Sequence, residues 1–300
     1  MKKVVLLAPT PPPVGGIASW TLRMLKTRLP EGWNVEVVDE KIIDGRQFFG
    51  NNTKRNYFNE LKRCIKIWRN LKKAIKKQTD NIVVHSCIPA APRSIMREYV
   101  CALISKRYKR PFIIHFRCTV PNMMTNNLRV YLLKKICNIS DRIIVLNNQS
   151  VDYLKKITNT PISLIPNFVN DEELVDNKCI NYKVKNVVYV GGVIESKGCL
   201  DIIKIAKHFP NINFKLIGNY DDVVKNAAEL QDNVILTGAM QKGSVRKELK
   251  QADIFMFLSY FDGEGFSNSL AEAMANGLPC IVTDWAANAD MIENLGGYVI

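Results

Sequence analysis

Short apolar runs alternate with longer amphipathic stretches along the chain. The apolar runs predict strands at Val4–Ala8, Val35–Val38, Ile82–His85, Phe112–His115, Arg142–Leu146 and Ile162–Ile165. Helical spacing between them predicts helices near Ile17–Leu29, Glu60–Gln78, Ser94–Tyr108, Asn127–Asn138 and Ser150–Ile157. A looser stretch, Asn167–Lys185, follows, and then the alternation restarts. Strands are expected at Val187–Val190, Asn213–Ile217, Val234–Leu236, Ile254–Leu258, Cys280–Thr283 and Tyr298–Ile300. Helices are expected near Gly198–Phe209, Asp222–Leu230, Lys242–Gln251 and Ser269–Asn276. Apolar strands alternating with helices predict parallel sheets covered on both faces. Two such runs predict an α/β protein of two doubly wound, Rossmann-like domains, with ligands beyond the carboxyl ends of the strands and a cleft between the domains as the default site.

Charge sharpens this division. Of the 300 residues, 42 are Lys or Arg and 28 are Asp or Glu, a net +14. Residues 1–165 carry 30 basic and 10 acidic side chains, whereas residues 166–300 carry 12 and 18. The first half therefore faces something anionic. No run of about 18 apolar residues spans a membrane. The opening Met1–Ala8 run is too short for a signal peptide and is stopped by Pro9. Eight scattered cysteines without a C-x-x-C pair argue against zinc or a disulfide framework and for a reduced, cytoplasmic setting.

Three loops carry candidate chemistry. Thr10–Ser19 holds Gly15 and Gly16 between a strand and a helix, where backbone amides and the helix dipole suit an anion. It is neither G-x-G-x-x-G nor a Walker loop; a plain Pro-Gly turn is the alternative. Val190–Gly198 holds Gly191, Gly192 and Lys197 in the same strand-to-helix setting. A lysine at a helix start opposes the dipole, a cost that a diphosphate would offset; an exposed lysine on a solvated turn is the alternative. The third segment, Asp262–Pro279, ends in the helix stop Gly277-Leu278-Pro279. Ser269-x-x-Glu272 reads as a capping box, a purely structural role for Glu272. Glu264 and Glu272 on one helix would stand about 12 Å apart along its axis, too far for an acid–base pair. Glu264 is therefore placed in a loop and Glu272 in a helix.

Glu264-x7-Glu272, within E-G-F-S-N-S-L-A-E-A-M-A-N-G-L-P, resembles the signature of family 4 glycosyltransferases, retaining enzymes of the GT-B fold. Pro12–Ile17 resembles the family's amino-terminal glycine loop, Pro166–Asn170 its P-N-G-V-D hinge, Gly191–Gly198 its phosphate loop and Leu216–Gly218 the next strand end. The resemblance implies an acceptor domain at 1–165, a hinge at 166–185 and a nucleotide-sugar domain at 186–300. It implies that Glu272 holds the ribose hydroxyls, Glu264 the donor sugar, and Lys197 the diphosphate. Gly15, Gly16, Gly191, Gly192 and the amides around Phe266, Ser267, Asn268 and Ser269 complete the donor site. His115 resembles the active-site histidine, with a satisfied core histidine as the alternative, and His85 ranks below it. No metal or other cofactor is expected.

Two departures stand out. Gly192 replaces the family's usual arginine, for which Arg117 is a conjectural substitute. The family's closing helices do not follow the last strand, so truncation is expected. The implied reaction transfers a sugar, with retention, from a nucleotide-sugar to a glycan or lipid-linked hydroxyl in bacterial-type surface polysaccharide synthesis. Within residues 60–77, Leu61, Cys64, Ile65, Trp68, Leu71 and Ile75 form an apolar stripe against a basic remainder. This suggests peripheral binding to an anionic inner membrane face, against a core-packing helix as the alternative. The competing functions are a decayed, non-catalytic transferase and a basic nucleic-acid binder; no recognition motif supports the latter, and no nucleic-acid partner is expected.

Overall fold

The computed structural model describes residues 2–12, 15–42, 56–76, 81–174, 178, 181–292 and 296–300. Pro13 and Val14 of the glycine loop, Lys77, Gln78 and Cys179 lie outside these. Contacts divide the chain into two compact units, one ending at Pro166 and the other running on from Asn167.

The first unit is a six-stranded, fully parallel sheet. Its strands are β1 (Lys2–Ala8), β2 (Trp33–Asp39), β3 (Asn81–Ile88), β4 (Phe112–Phe116), β5 (Arg142–Val145) and β6 (Ile162–Leu164), in spatial order β2-β1-β3-β4-β5-β6. The helices are α1 (Gly16–Lys26), α2 (Tyr57–Ile75), α3 (Pro92–Arg107), α4 (Asn127–Ile139) and α5 (Asn148–Lys155). Val5, Leu7, Val84, Phe112, Ile114 and Ile143 from the sheet, with Leu71, Ile75, Ala102 and Leu133 from the helices, form a continuous apolar core. Burying these groups is the main favourable term in folding the unit. The chain leaves β1 for the β2 side and returns on the β3 side, so the switch point lies at the carboxyl ends of β1 and β3.

Helix α2 corrects the expected stripe. Ile67, Leu71, Ala74 and Ile75 are buried, with Trp68 and Cys64 beside them, but Leu61 and Ile65 are exposed. At about 100° per residue, Leu61 and Ile65 stand about 80° and 120° around the helix from Leu71. They flank the inward arc and lie on the surface with Lys62, Lys66 and Arg69.

The second unit repeats the plan: β7 (Asn186–Val190), β8 (Asn213–Ile217), β9 (Val234–Gly238), β10 (Ile254–Phe257), β11 (Cys280–Val282) and β12 (Tyr298–Val299), ordered β12-β11-β10-β7-β8-β9 and again parallel. Its helices are α6 (Cys199–Ala206), α7 (Asp222–Ala228), α8 (Lys242–Gln251), α9 (Asn268–Ala275) and α10 (Asn288–Ile292). Here β7 and β10 are neighbours, and the switch point falls between their carboxyl ends. Helix α10 escaped the sequence reading because five residues are too few to show a 3.6-residue period.

Candidate functional site

The loops after β7 and β10 meet at the switch point of the second unit. After β7 the chain turns at Gly191 and makes a short 3-10 turn, Glu195–Lys197, before α6. Gly198, with φ 73°, joins the two; a Cβ there would lie 2.1 Å from the Leu258 carbonyl oxygen. Only glycine permits both the left-handed backbone and this approach. Gly218 packs as tightly, since its Cβ would lie 1.7 Å from the Gly191 oxygen. The Gly191 and Val193 amides donate to Ile217 and Asn219, and Tyr189 Oη donates to the Gly192 carbonyl at 2.8 Å. The loop is thus pinned to the sheet on both sides of Gly192.

Lys197 is not the exposed lysine of a solvated turn. Its ammonium pairs with the Glu264 carboxylate, both side chains being 11% exposed. It also lies over the Phe261 ring, 4.5 Å from the centroid. Glu264 sits in the loop between β10 and α9, where Ser259 Oγ, fully buried, donates to it at 3.2 Å. The helix dipole of α9 adds positive potential nearby in the chain. Ser267, not Ser269, caps that helix: its Oγ accepts from the Leu270 amide at 3.3 Å. The expected Ser269–Glu272 capping box is therefore corrected by two residues, and Ser269 Oγ lies 3.2 Å from Ser267 Oγ. Glu272 sits a turn further along α9, and Phe266, Asn268 and Ser269 are partly exposed. Asn167, which follows Pro166 at the change of unit, donates to the Phe266 carbonyl at 2.6 Å and to Asn268 Oδ1 at 2.9 Å. This couples the P-N segment to the loop that carries the glutamate.

The first unit gathers a different cluster at its own switch point. His115 faces Cys87 across β3 and β4 in register, and His85, two residues before Cys87, shares that face. The two imidazoles are stacked at 5.3 Å, with His85 Nε2 3.2 Å from His115 Nδ1. Trp20 of α1 meets both rings edge-on. Arg117 Nη1 lies 3.1 Å from His115 Nε2, and its guanidinium covers Trp20 at 4.4 Å. Arginine only donates, so Nε2 accepts, the ring proton sits on Nδ1, and Nδ1 donates to His85. Burial, with Arg117 second, lowers the pKa of His85 to about 4 and holds that of His115 well below the usual histidine range. Burial pushes the Cys87 thiol up to about 12. These groups stand ready as neutral donors and acceptors. Gly15 and Gly16 open α1, which starts without a side-chain cap. Asp39 anchors the preceding loop by accepting from the Thr10 amide at 3.0 Å and from its hydroxyl at 2.8 Å.

The profile described as Glycosyltransferase Family 4 matches residues 14–173, and that described as Glycosyl transferases group 1 matches residues 170–300. The chain belongs to glycosyltransferase family 4. The chain is 25% identical over 204 residues to the processive diacylglycerol alpha-glucosyltransferase of Acholeplasma laidlawii; the match covers 59% of the chain and 61% of that relative. The chain thus spans less than two thirds of that relative's length. It superposes on sucrose-phosphate synthase from Thermosynechococcus elongatus with a TM-score of 0.76 at 16% identity, over the whole chain and 86% of the other. Against Anabaena HepE in complex with UDP and glucose the TM-score is 0.67 at 12% identity, over the whole chain and 85% of the other. Its fold is GT-B.

Within this family 4 member, Gly191, Gly192, Lys197, Glu264, Phe266, Ser267, Asn268, Ser269 and Glu272 all lie on the β7 and β10–α9 loops or the first turns of α9. His115, Gly15 and Gly16 belong to the first unit. Tyr189, Ser259 and Phe261 escaped the sequence reading because nothing in local pattern marks a residue that supports a loop. His85 and Cys87 are legible only once β3 and β4 are paired. Arg117, a conjectured diphosphate ligand, is only 8% exposed and engaged with His115 and Trp20.

Proposed function

We propose that the chain is a retaining hexosyltransferase that moves a sugar from a nucleotide-sugar to a hydroxyl of a glycan or lipid-linked acceptor, in bacterial-type surface polysaccharide synthesis. The observation that carries this reading is the Lys197–Glu264 pair at the β7/β10 switch point. A nearly dry ammonium and a helix amino terminus are suited to the charge that develops on a departing diphosphate. In this reading the diphosphate competes with Glu264 for Lys197, and the released carboxylate takes the donor's sugar hydroxyls. Glu272 holds the ribose, the amides of Gly192 and Phe266–Ser269 contact the donor, and Gly191, whose own amide is held by Ile217, gives the loop its close turn. The leaving phosphate accepts the acceptor's proton, so no protein nucleophile is needed, and no metal neutralises the charge. The glucose-containing complex of the HepE relative supports a hexose donor.

The name of the Acholeplasma relative supports a lipid acceptor. Exposed Tyr57, Phe58, Leu61 and Ile65 alongside Lys62, Lys66 and Arg69 suit an anionic bilayer surface at the cytoplasmic face. No helix among the described residues is long and apolar enough to cross a membrane.

A thermal-shift panel of UDP-, GDP- and ADP-sugars, followed by donor-turnover assays with anomeric analysis of the product, tests the reading. One sugar nucleotide should raise the melting temperature and be consumed with retention. Stabilisation without turnover would instead favour a non-catalytic transferase, for which Gly192 in place of the usual arginine is the motivating observation.

A further inference from the structure

The imidazoles of His85 and His115 and the thiol of Cys87 converge on one point. His85 Nε2 and His115 Nδ1 are 3.2 Å apart, Cys87 Sγ is 3.7 Å from the first and 4.0 Å from the second. Metal–nitrogen bonds of ~2.0 Å and metal–sulfur bonds of ~2.3 Å set donors about 3.5–3.7 Å apart in a planar three-coordinate site. The observed triangle needs shifts of only a few tenths of an ångström to match. The strands dictate its shape: His85 and Cys87 alternate onto one face of β3, and His115 stands opposite Cys87 on β4. Trp20 closes the cluster from α1. Among the described residues, no fourth His, Cys, Asp or Glu joins this group.

We propose that His85, Cys87 and His115 form a three-coordinate binding site for a soft, univalent metal ion, cuprous copper. Donor softness and number point there: one thiolate and two imidazoles suit a thiophilic d10 ion content with three ligands. Charge selects univalent over divalent. Binding removes the thiol proton from Cys87, so a univalent ion replaces one positive charge with another. A divalent ion would leave an extra positive charge beside the buried Arg117 guanidinium, where charges are poorly screened. The other proton is only relocated: His115 gives up its Nδ1 proton and takes one on Nε2. Copper keeps its oxidation state, and one proton leaves per ion bound.

The same bookkeeping of protons makes Arg117 an antagonist of the metal. Arg117 donates to His115 Nε2 in the metal-free site. With metal on Nδ1, Nε2 becomes a donor itself and cannot accept, so the arginine bond and the metal exclude one another. The inference rests on this geometry and not on the catalytic role given to His115.

The test is anaerobic competition for Cu(I) between the purified full chain and bicinchoninate, read by the colour of the copper–chelator complex. The wild-type chain should withdraw one ion and release one proton, with X-ray absorption reporting one sulfur and two nitrogen ligands. Cys87→Ala and His85→Gln, checked for folding by circular dichroism, should lose this binding. Cys64→Ser, which removes a more accessible thiol on α2, should keep it. Arg117→Gln, whose amide oxygen can accept from Nε2, should bind about tenfold more tightly. Retention of the ion by Cys87→Ala, a two-sulfur coordination shell, loss in Cys64→Ser, or weaker binding by Arg117→Gln would each overturn the proposal.

Discussion

Lys197 and Glu264 lie 67 positions apart in the chain and meet as a nearly buried ion pair at the ends of two adjacent strands. Neither residue's neighbours in sequence foretell the contact. Their pairing defines the charged centre of the second unit and shapes the first prediction.

Removing one partner strands the other charge in a poorly hydrated place. Lys197→Met or Glu264→Gln should each cost about 3 kcal/mol of stability, and the double variant should recover most of that. Sugar transfer should fall at least ~100-fold in both single variants and stay low in the double variant. Urea unfolding and donor turnover on the same samples measure the two effects. Full transfer by Lys197→Met would remove this lysine from the site.

The corrected cap gives a comparison between neighbouring serines. Ser267→Ala should lower unfolding free energy by about 1 kcal/mol, because it strips the α9 amino terminus of its side-chain acceptor. Ser269→Ala should cost less than half as much. Equal losses in chemical denaturation would restore Ser269 as a cap.

Backbone geometry separates three glycines. Gly198→Ala and Gly218→Ala force a Cβ against backbone oxygens at 2.1 and 1.7 Å and should cost about 3 kcal/mol or more. Gly243→Ala, in the first turn of α8 with nothing within 4 Å of its Cβ, should be neutral or stabilising by about 0.5 kcal/mol. Soluble yield and melting temperature report the order.

The paired histidines make stability fall in acid. Unfolded histidine protonates near ~6.5, whereas folded His85 does so only at about 4. Between those values the unfolded chain binds more protons, so the contribution is fully present above ~6.5 and is lost as pH falls toward about 4. His115 acts in the same direction. His85→Gln should flatten the pH profile of the unfolding free energy, measured by urea denaturation between pH 6.5 and 4.5, by up to about 1 kcal/mol per pH unit. A profile parallel to wild type would show that half-buried His85 is not held as a neutral ring.

The exposed edge of α2 predicts a salt-sensitive membrane interaction. Lys62→Glu with Lys66→Glu should abolish sedimentation with anionic vesicles, and Phe58→Ser should weaken it at all salt concentrations. Binding to neutral and anionic vesicles alike, insensitive to salt, would sink the membrane reading.

The linear chain determined the order of strands and helices, the glycine-bearing loops and the family, because these depend on local periodicity and contiguous motifs. It placed Glu264 in a loop and Glu272 on a helix for the same reason. Only the tertiary structure decided that Lys197 is held by Glu264, that Ser267 rather than Ser269 caps α9, and that Leu61 and Ile65 stand in solvent. It also decided that His85, Cys87 and His115 form one cluster with Arg117 and Trp20. Each of these turns on which strands lie side by side and which way side chains point. That is settled by strand order, register and the packing of helix faces, none of which is written in a short window of sequence.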